Sequence, residues 1–331
     1  MSTERIDRRM KKSALSEIPR FFLLIATVLI FFIFYLLAPK FLTFANFMNI
    51  LASACITAML AFAALIGMSC GEMNFAVGSQ ATLSAAVVGA LMSIKGFPYI
   101  PALLIGLGAS MLLGYLGIGL TIKFGVPSFI ATLGLSTIAD GTIKYLTDNK
   151  YMFSNNWGDD FMFLGRAYVG PVPVSVIAFA VLSIAAWILV DKTMLGRHIF
   201  AVGANSTACR QVGINNNKIK IIAFLISSAF AGMGGIIECG QIAAVSPTMG
   251  SDIMMNAIAA AMLSATFLRP GRYNVQGTVI AAILMIIIQN GMLSIGAPNY
   301  TRDIIQGAIL LFAVGFIALT RKEGLPAVKF S

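Results

Sequence analysis

Long apolar stretches separated by short polar ones dominate the chain, and their spacing decides the architecture it predicts. A helix that crosses a hydrocarbon core needs about 20 predominantly apolar residues. Ten such stretches stand at 21–38, 47–69, 74–94, 100–122, 127–146, 171–190, 219–240, 253–268, 274–295 and 303–320. They predict an all-α integral membrane protein with about ten transmembrane helices. Two are irregular: Gly71, Gly78 and Gly89 interrupt the third and its approach, and the eighth is short. Spans 2–5 and 7–10 hold four helices each, with the sixth between them, so opposite orientation would make them an inverted repeat. Interrupted helices in corresponding places line a pathway in such repeats, because irregular backbone is tolerated at membrane depth only where it faces protein or water.

Basic residues then set the orientation. With the N-terminus inside, 17 of the Lys and Arg residues fall on inner segments and 6 on outer ones, which predicts ten spans with both termini cytoplasmic. The chain divides into a cytoplasmic tail at 1–20, a transmembrane domain at 21–320 carrying an inner polar loop at 191–220, and a second cytoplasmic tail at 321–331. The apolar run after the basic tail is too long for a secretory signal and lacks a small-residue cleavage site, so it reads as a retained span. Within the inner loop, Asn205 or Ser206 is placed to cap a helix and Gly213 to end it, leaving about seven residues or roughly 10 Å. A helix that short needs a surface to dock on, either its own membrane domain or another subunit. The small residues Gly196, Gly203, Ala208 and Gly213 permit a close approach.

Composition narrows the class. Of the 331 residues 58% are hydrophobic and 11% charged, against about 25% charged in a soluble domain. The net charge of +10 does not point to nucleic acid, since the cations sit at span ends and in one loop. Cys55, Cys70, Cys209 and Cys239 are scattered and His198 stands alone, so no zinc, redox or other metal site is expected, and the cysteines read as small apolar fillers. There is no P-loop, no G-x-S-x-G and no H-E-x-x-H. The chain therefore reads as a non-enzyme, without catalytic residues, a nucleotide site or a bound cofactor of its own.

Polar residues inside apolar runs are the remaining candidates for chemistry, since they are costly in lipid. Asn74, Ser79 and Gln80 follow Gly71 and Glu72, and Asn256, Gln289 and Asn290 stand in the second half. Neutral amides suit a hydroxyl-rich solute such as a sugar, and they suit hydrogen bonds between helices equally well. Asp140 and Lys144 are spaced for an ion pair on one helix, more a self-neutralising pair than a proton relay. An ion-coupled secondary transporter would use Glu72, Asp140, Glu238 or Asp303. The outer loop from Thr147 to Gly170, with Trp157, Asp159 and Asp160, would either meet an external protein or cap the bundle.

The stretch Leu195-Gly196-Arg197-His198-Ile199-Phe200-Ala201-Val202-Gly203-Ala204-Asn205, continued by Ala208 and Val212-Gly213-Ile214, resembles the permease subunits of the ribose, xylose and galactose class of bacterial ABC importers. Supporting matches are Val126-Pro127-Ser128-Phe129-Ile130-Ala131-Thr132-Leu133-Gly134 and Gly271-Arg272 with Val275 and Gly277-Thr278. The resemblance implies a ten-span subunit of the bacterial inner membrane that pairs with a second permease subunit, identical or not. It further implies that an extracytoplasmic solute-binding protein delivers a monosaccharide or similar small polar solute. A cytoplasmic ABC ATPase, which carries ATP and Mg, would drive alternating access. On that reading Gly196, Arg197, Gly203, Asn205, Ala208, Arg210, Gly213 and Ile214 couple to the ATPase, while Asn74, Ser79, Gln80, Asn256, Gln289 and Asn290 line the path. Two stretches depart from the family pattern. Gly71-Glu72-Met73-Asn74 has an amide where an aspartate is usual and a new acid two residues earlier, and Arg269-Pro270 replaces part of a glycine-rich run. These departures leave the solute open.

Overall fold

The computed structural model describes residues 21–94, 97–153, 157, 159–268 and 271–322. The tail at 1–20, most of the tail at 321–331, residues 269 and 270, and the side chains of Asp159, Asp160 and Asp303 lie outside the described residues. In chain order the helices are α1 Phe21–Leu37, α2 Phe44–Ser69, α3 Val77–Ser93, α4 Tyr99–Phe124, α5 Ser128–Leu146, α6 Asp159–Arg166 and α7 Val174–Trp187. They continue with α8 Met194–Ala204, α9 Ser206–Gln211, α10 Asn216–Ile242, α11 Met249–Leu263, α12 Val275–Ser294 and α13 Asn299–Lys322. Each of the ten apolar stretches is occupied by one helix. Among the described residues five are both long and apolar enough to cross a membrane: α2, α4, α7 with its π-turn extension to Lys192, α10 and α12.

Helix α2 is apolar on every side, which suits a helix surrounded by others. Of its most apolar stretch 83% is buried, against 33% for α4 and 22% for α7. The outer helices turn Leu104, Leu112, Val181 and Ile184 away from the protein, as helices against lipid do. Between helices, lipid removes the hydrophobic drive to associate, so close backbone packing takes its place. Helix α10 shows this, since a Cβ on Gly235 would stand 2.0 Å from the Ala81 carbonyl oxygen, and one on Gly232 would stand 3.0 Å from Ser110.

Two non-helical breaks position the centre. Residues 70–76 separate α2 from α3, and residues 243–248 separate α10 from α11. The second residue of the helix after each break is a glycine, Gly78 or Gly250, and the two meet. A Cβ on Gly250 would lie 2.0 Å from the Gly78 carbonyl oxygen, and one on Gly78 would lie 2.7 Å from that of Gly250. The Gly250 N–H also donates to Thr82 Oγ1 at 2.9 Å. With Thr82 beside Gly250 and Met254 beside Gly78, the first turns of α3 and α11 lie side by side and run in opposite directions. Gly250→Ala should therefore force these backbones apart and cost about 1–3 kcal/mol. Thermal melting of the purified protein measures the loss, and an unchanged midpoint would show that the crossing relaxes freely.

The ends of the bundle differ. At one end β1 Met152–Phe153 pairs antiparallel with β4 Ala244–Val245, and the hairpin of β2 Tyr168–Val169 with β3 Val172–Pro173 leads into α7. The Arg166 guanidinium donates to the carbonyls of Gln241 and Ile242 at 3.0 and 2.9 Å, clamping α6 onto the end of α10. Trp157 is buried edge-on against Phe161 and reaches Gly89 of α3, so this residue of the loop packs onto the bundle. The opposite end carries α8 and α9, with Gly203 of α8 against Ser69 to Gly71, where the first break begins.

Candidate translocation and coupling site

Gly71, with φ of +82°, turns the chain at the end of α2, and residues 72–76 follow without helical structure. Their backbone donors need partners at this depth, and α5 supplies them. Ser128 Oγ accepts from the Met73 N–H at 2.9 Å, and Thr132 Oγ1 accepts from the Phe75 N–H at 3.1 Å. Ser136 and Asp140 both reach the Ser79 hydroxyl, at 2.7 and 2.6 Å. Four residues spaced by four thus form one polar stripe along α5, aimed at the break and the first turn of α3. This corrects the pairing expected for Asp140. Its carboxylate accepts from Ser79, while Lys144 is exposed and makes no ion pair with it.

Asn74 is buried and fully engaged. Its Nδ2 donates to Gln80 Oε1 and to Ser227 Oγ, both at 3.1 Å, and its Oδ1 accepts from the Ala76 N–H at 3.0 Å. The last bond is an Asx turn that starts α3. Ser227 in turn donates to the Ala63 carbonyl at 2.7 Å, joining the break to α2 and α10. Gln80 is completely buried, and its Nε2 meets no acceptor among the described residues. Glu72, 3% exposed, forms an ion pair with Lys220 near the start of α10. The structure therefore gathers Asn74, Ser79 and Gln80 around one break. It leaves Asn256 buried in α11, and Gln289 and Asn290 half-buried in α12, outside that network; Asn290 interacts instead with Ser294. Sequence reasoning missed Ser128, Thr132, Ser136, Lys220 and Ser227. The four-residue spacing on α5 was the available signal.

The polar loop contains two helices where one was expected. Thr193 caps α8 by accepting from the Gly196 N–H at 3.1 Å. Asn205, rather than Ser206, caps α9 by accepting from the Ala208 N–H at 3.0 Å, and Gly213 at φ +82° ends the segment. Ile214 N–H closes that turn on the Cys209 carbonyl at 3.0 Å. The glycines that weaken helix propensity in α8 are its contact points. A Cβ on Gly203 would lie 2.2 Å from the Ser69 carbonyl oxygen, and one on Gly196 would lie 2.1 Å from that of Val190. Helix α8 thus rests directly on the 70–76 break. Helix α9 buries only Cys209 and presents Thr207, Ala208, Arg210 and Gln211 outward. A cavity of about 390 Å³ lies between the two elements, lined by Gly71, Gly203, Asn205, Thr207 and Lys220.

Apolar helices packed round a polar break, with a capped helical pair exposed at one end, define a multi-pass membrane transport subunit. Residues 46–314 match the family described as the branched-chain amino acid transport system / permease component, and the chain belongs to that family. It is 32% identical over 295 residues to the ribose import permease protein RbsC of Escherichia coli K12, covering 88% of this chain and 91% of that protein. The ribose import permease protein RbsC of Bacillus subtilis is 28% identical over 279 residues, 84% of this chain and 86% of its own length. The autoinducer 2 import system permease protein LsrC of Photorhabdus luminescens is 29% identical over 295 residues, 88% of each. No solved structure matches the chain.

Proposed function

We propose that this chain is the membrane-spanning subunit of an ATP-binding-cassette importer for a monosaccharide or similar small polar solute, paired with a second permease subunit. The carrying observation is the direct contact of α8 with the break. Gly203 lies on the backbone of Ser69 to Gly71, and Lys220 holds Glu72 two residues before Asn74. A push on exposed α9, transmitted through α8, arrives at the Asn74–Gln80–Ser227 network without crossing a flexible linker. Alternating access then exchanges those amide bonds for solute hydroxyls along a path that Asn74, Ser79, Gln80, Asn256, Gln289 and Asn290 line. The buried Gln80 Nε2 is a spare donor for that exchange. Gly203, Asn205, Ala208, Arg210, Gly213 and Ile214 form the coupling surface for the ATPase, with Gly196 and Arg197 at the far end of α8.

The ten helices cross the membrane as an inverted repeat of spans 2–5 and 7–10 with both termini cytoplasmic. The equivalent placement of Gly78 and Gly250 after the two breaks supports that arrangement. The site sits in a bacterial inner membrane, and an extracytoplasmic solute-binding protein supplies the solute. Names of relatives support a ribose-like or autoinducer-like solute.

Proteoliposomes holding this chain and its ATPase should take up the solute only with ATP and Mg inside the ATPase compartment. Ala208→Glu, on the exposed face of α9, should lower uptake at least tenfold and release the ATPase on purification. Uptake by this chain alone on an ion gradient would instead establish a secondary transporter.

A further inference from the structure

A second cavity, of about 420 Å³, opens where α7 ends in its π turn, away from the break. Lys192, Arg197 and Arg272 line it together with one carboxylate, Asp191, so positive charge is in excess. Among the described residues none of the three cations is paired with a carboxylate within ion-pair distance. Two are instead held by aromatic rings. The Lys192 ammonium lies 4.9 Å from the centre of Trp187, and the Arg272 guanidinium lies 4.2 Å from the centre of Phe200. Stacking of this kind fixes a guanidinium by its face and leaves its in-plane N–H donors free for an anion. Gln276 adds an amide to the rim, and the Asn274 amide is consumed internally by the Ser264 and Phe267 carbonyls at 2.7 and 2.8 Å.

The approach to this cavity is apolar. Ile177, Val181, Ile184 and Ile188 of α7 and its extension are 40%, 58%, 56% and 47% exposed. Their spacing places them on one helical stripe, which ends one residue from Trp187 and four from Lys192. An unburied aliphatic stripe that runs into a cationic cavity beside a tryptophan matches a phospholipid in both parts. The acyl chains take the stripe, and the phosphate takes the cations. A soluble anion would use the cations and leave the stripe without a role.

We propose that this cavity binds the headgroup phosphodiester of an anionic phospholipid from the leaflet at this end of the bundle, with its chains along α7. The site does not rest on the translocation reading, and it adds a lipid contact to Arg197, which lies at the opposite end of α8 from Gly203 and Asn205. Binding here ties the α7 terminus to the loop before α12, through Lys192 and Arg197 on one side and Arg272 on the other. Native mass spectrometry of the purified protein, titrated with phosphatidylglycerol, phosphatidylcholine or glycerol 3-phosphate, tests it. Wild type should retain phosphatidylglycerol about tenfold more strongly than phosphatidylcholine, and glycerol 3-phosphate should not displace it. Lys192→Gln combined with Arg272→Gln should weaken phosphatidylglycerol retention on the order of thirtyfold, as loss of two cations near an anionic headgroup implies. Equal retention of the two lipids by wild type would overturn the proposal, and this comparison decides the matter if the double variant fails to fold. Displacement by glycerol 3-phosphate would overturn the lipid assignment in favour of a soluble anion. A folded double variant that keeps its phosphatidylglycerol but loses the ATPase would assign the cavity to protein contact.

Discussion

Lys220→Ala is expected to destabilise the protein by about 3–5 kcal/mol and to abolish uptake, because it leaves Glu72 buried and charged without its partner. The effect follows from the position of the carboxylate. Glu72 is 3% exposed and Lys220 is its one ion-pair partner among the described residues, so removal of the ammonium leaves a buried carboxylate uncompensated. Removing both charges separates stability from coupling. Glu72→Gln with Lys220→Met should recover most of the thermal midpoint, since an apolar or neutral pair often replaces a buried ion pair without loss. Should the pair also link α10 to the break during transport, uptake by the double variant will stay below half of wild type. Melting in detergent and uptake in proteoliposomes are the two measurements. A single Lys220→Ala variant with a wild-type midpoint would show that Glu72 finds other compensation.

Asn74→Leu should reduce uptake at least tenfold while the subunit still assembles. Leucine removes the acceptor that starts α3 at Ala76 and both donors that hold Gln80 and Ser227. A buried group left without its partner costs about 1–3 kcal/mol. Ser227 keeps its bond to Ala63, which limits the structural damage. Asn74→Asp makes the sharper comparison. It keeps the Ala76 turn, and an amide flip of Gln80 would bring its unused Nε2 to the new carboxylate. Aspartate should therefore assemble as leucine does and recover part of the uptake that leucine loses. Equal transport by wild type and Asn74→Leu would reduce Asn74 to a packing residue.

Much of this architecture is written in the hydrophobic pattern. All ten apolar stretches became helices because each is a long run without a competing polar partner. The 70–76 break was legible from Gly71 and from polar residues that lipid would penalise. Local sequence carried less of what crosses between helices. Lys220 and Glu72 are 148 positions apart, and nothing near either residue announces the other. Ser128, Thr132 and Ser136 read as ordinary span residues until α3 is placed beside them. Helix α8 was hidden for a different reason. Gly196 and Gly203 look like loop residues by propensity, and tertiary contact with Val190 and Ser69 outweighs that preference. Of the proposed path, Asn256, Gln289 and Asn290 share a chemistry with Asn74 but not its network, since amide content alone does not fix which helix faces meet.

The crossing of Gly78 and Gly250 bears on how such a core moves. Interlocked side chains must change rotamers in concert when two helices turn against each other, and that requirement makes packed interfaces switch in steps. At this crossing backbone touches backbone, with no side chain on either glycine to disengage. The Gly250 N–H to Thr82 hydrogen bond ties the two helices together there. On the alternating-access reading proposed above, α3 and α11 would pivot where these two glycines meet, while the polar contacts around them are traded one for another.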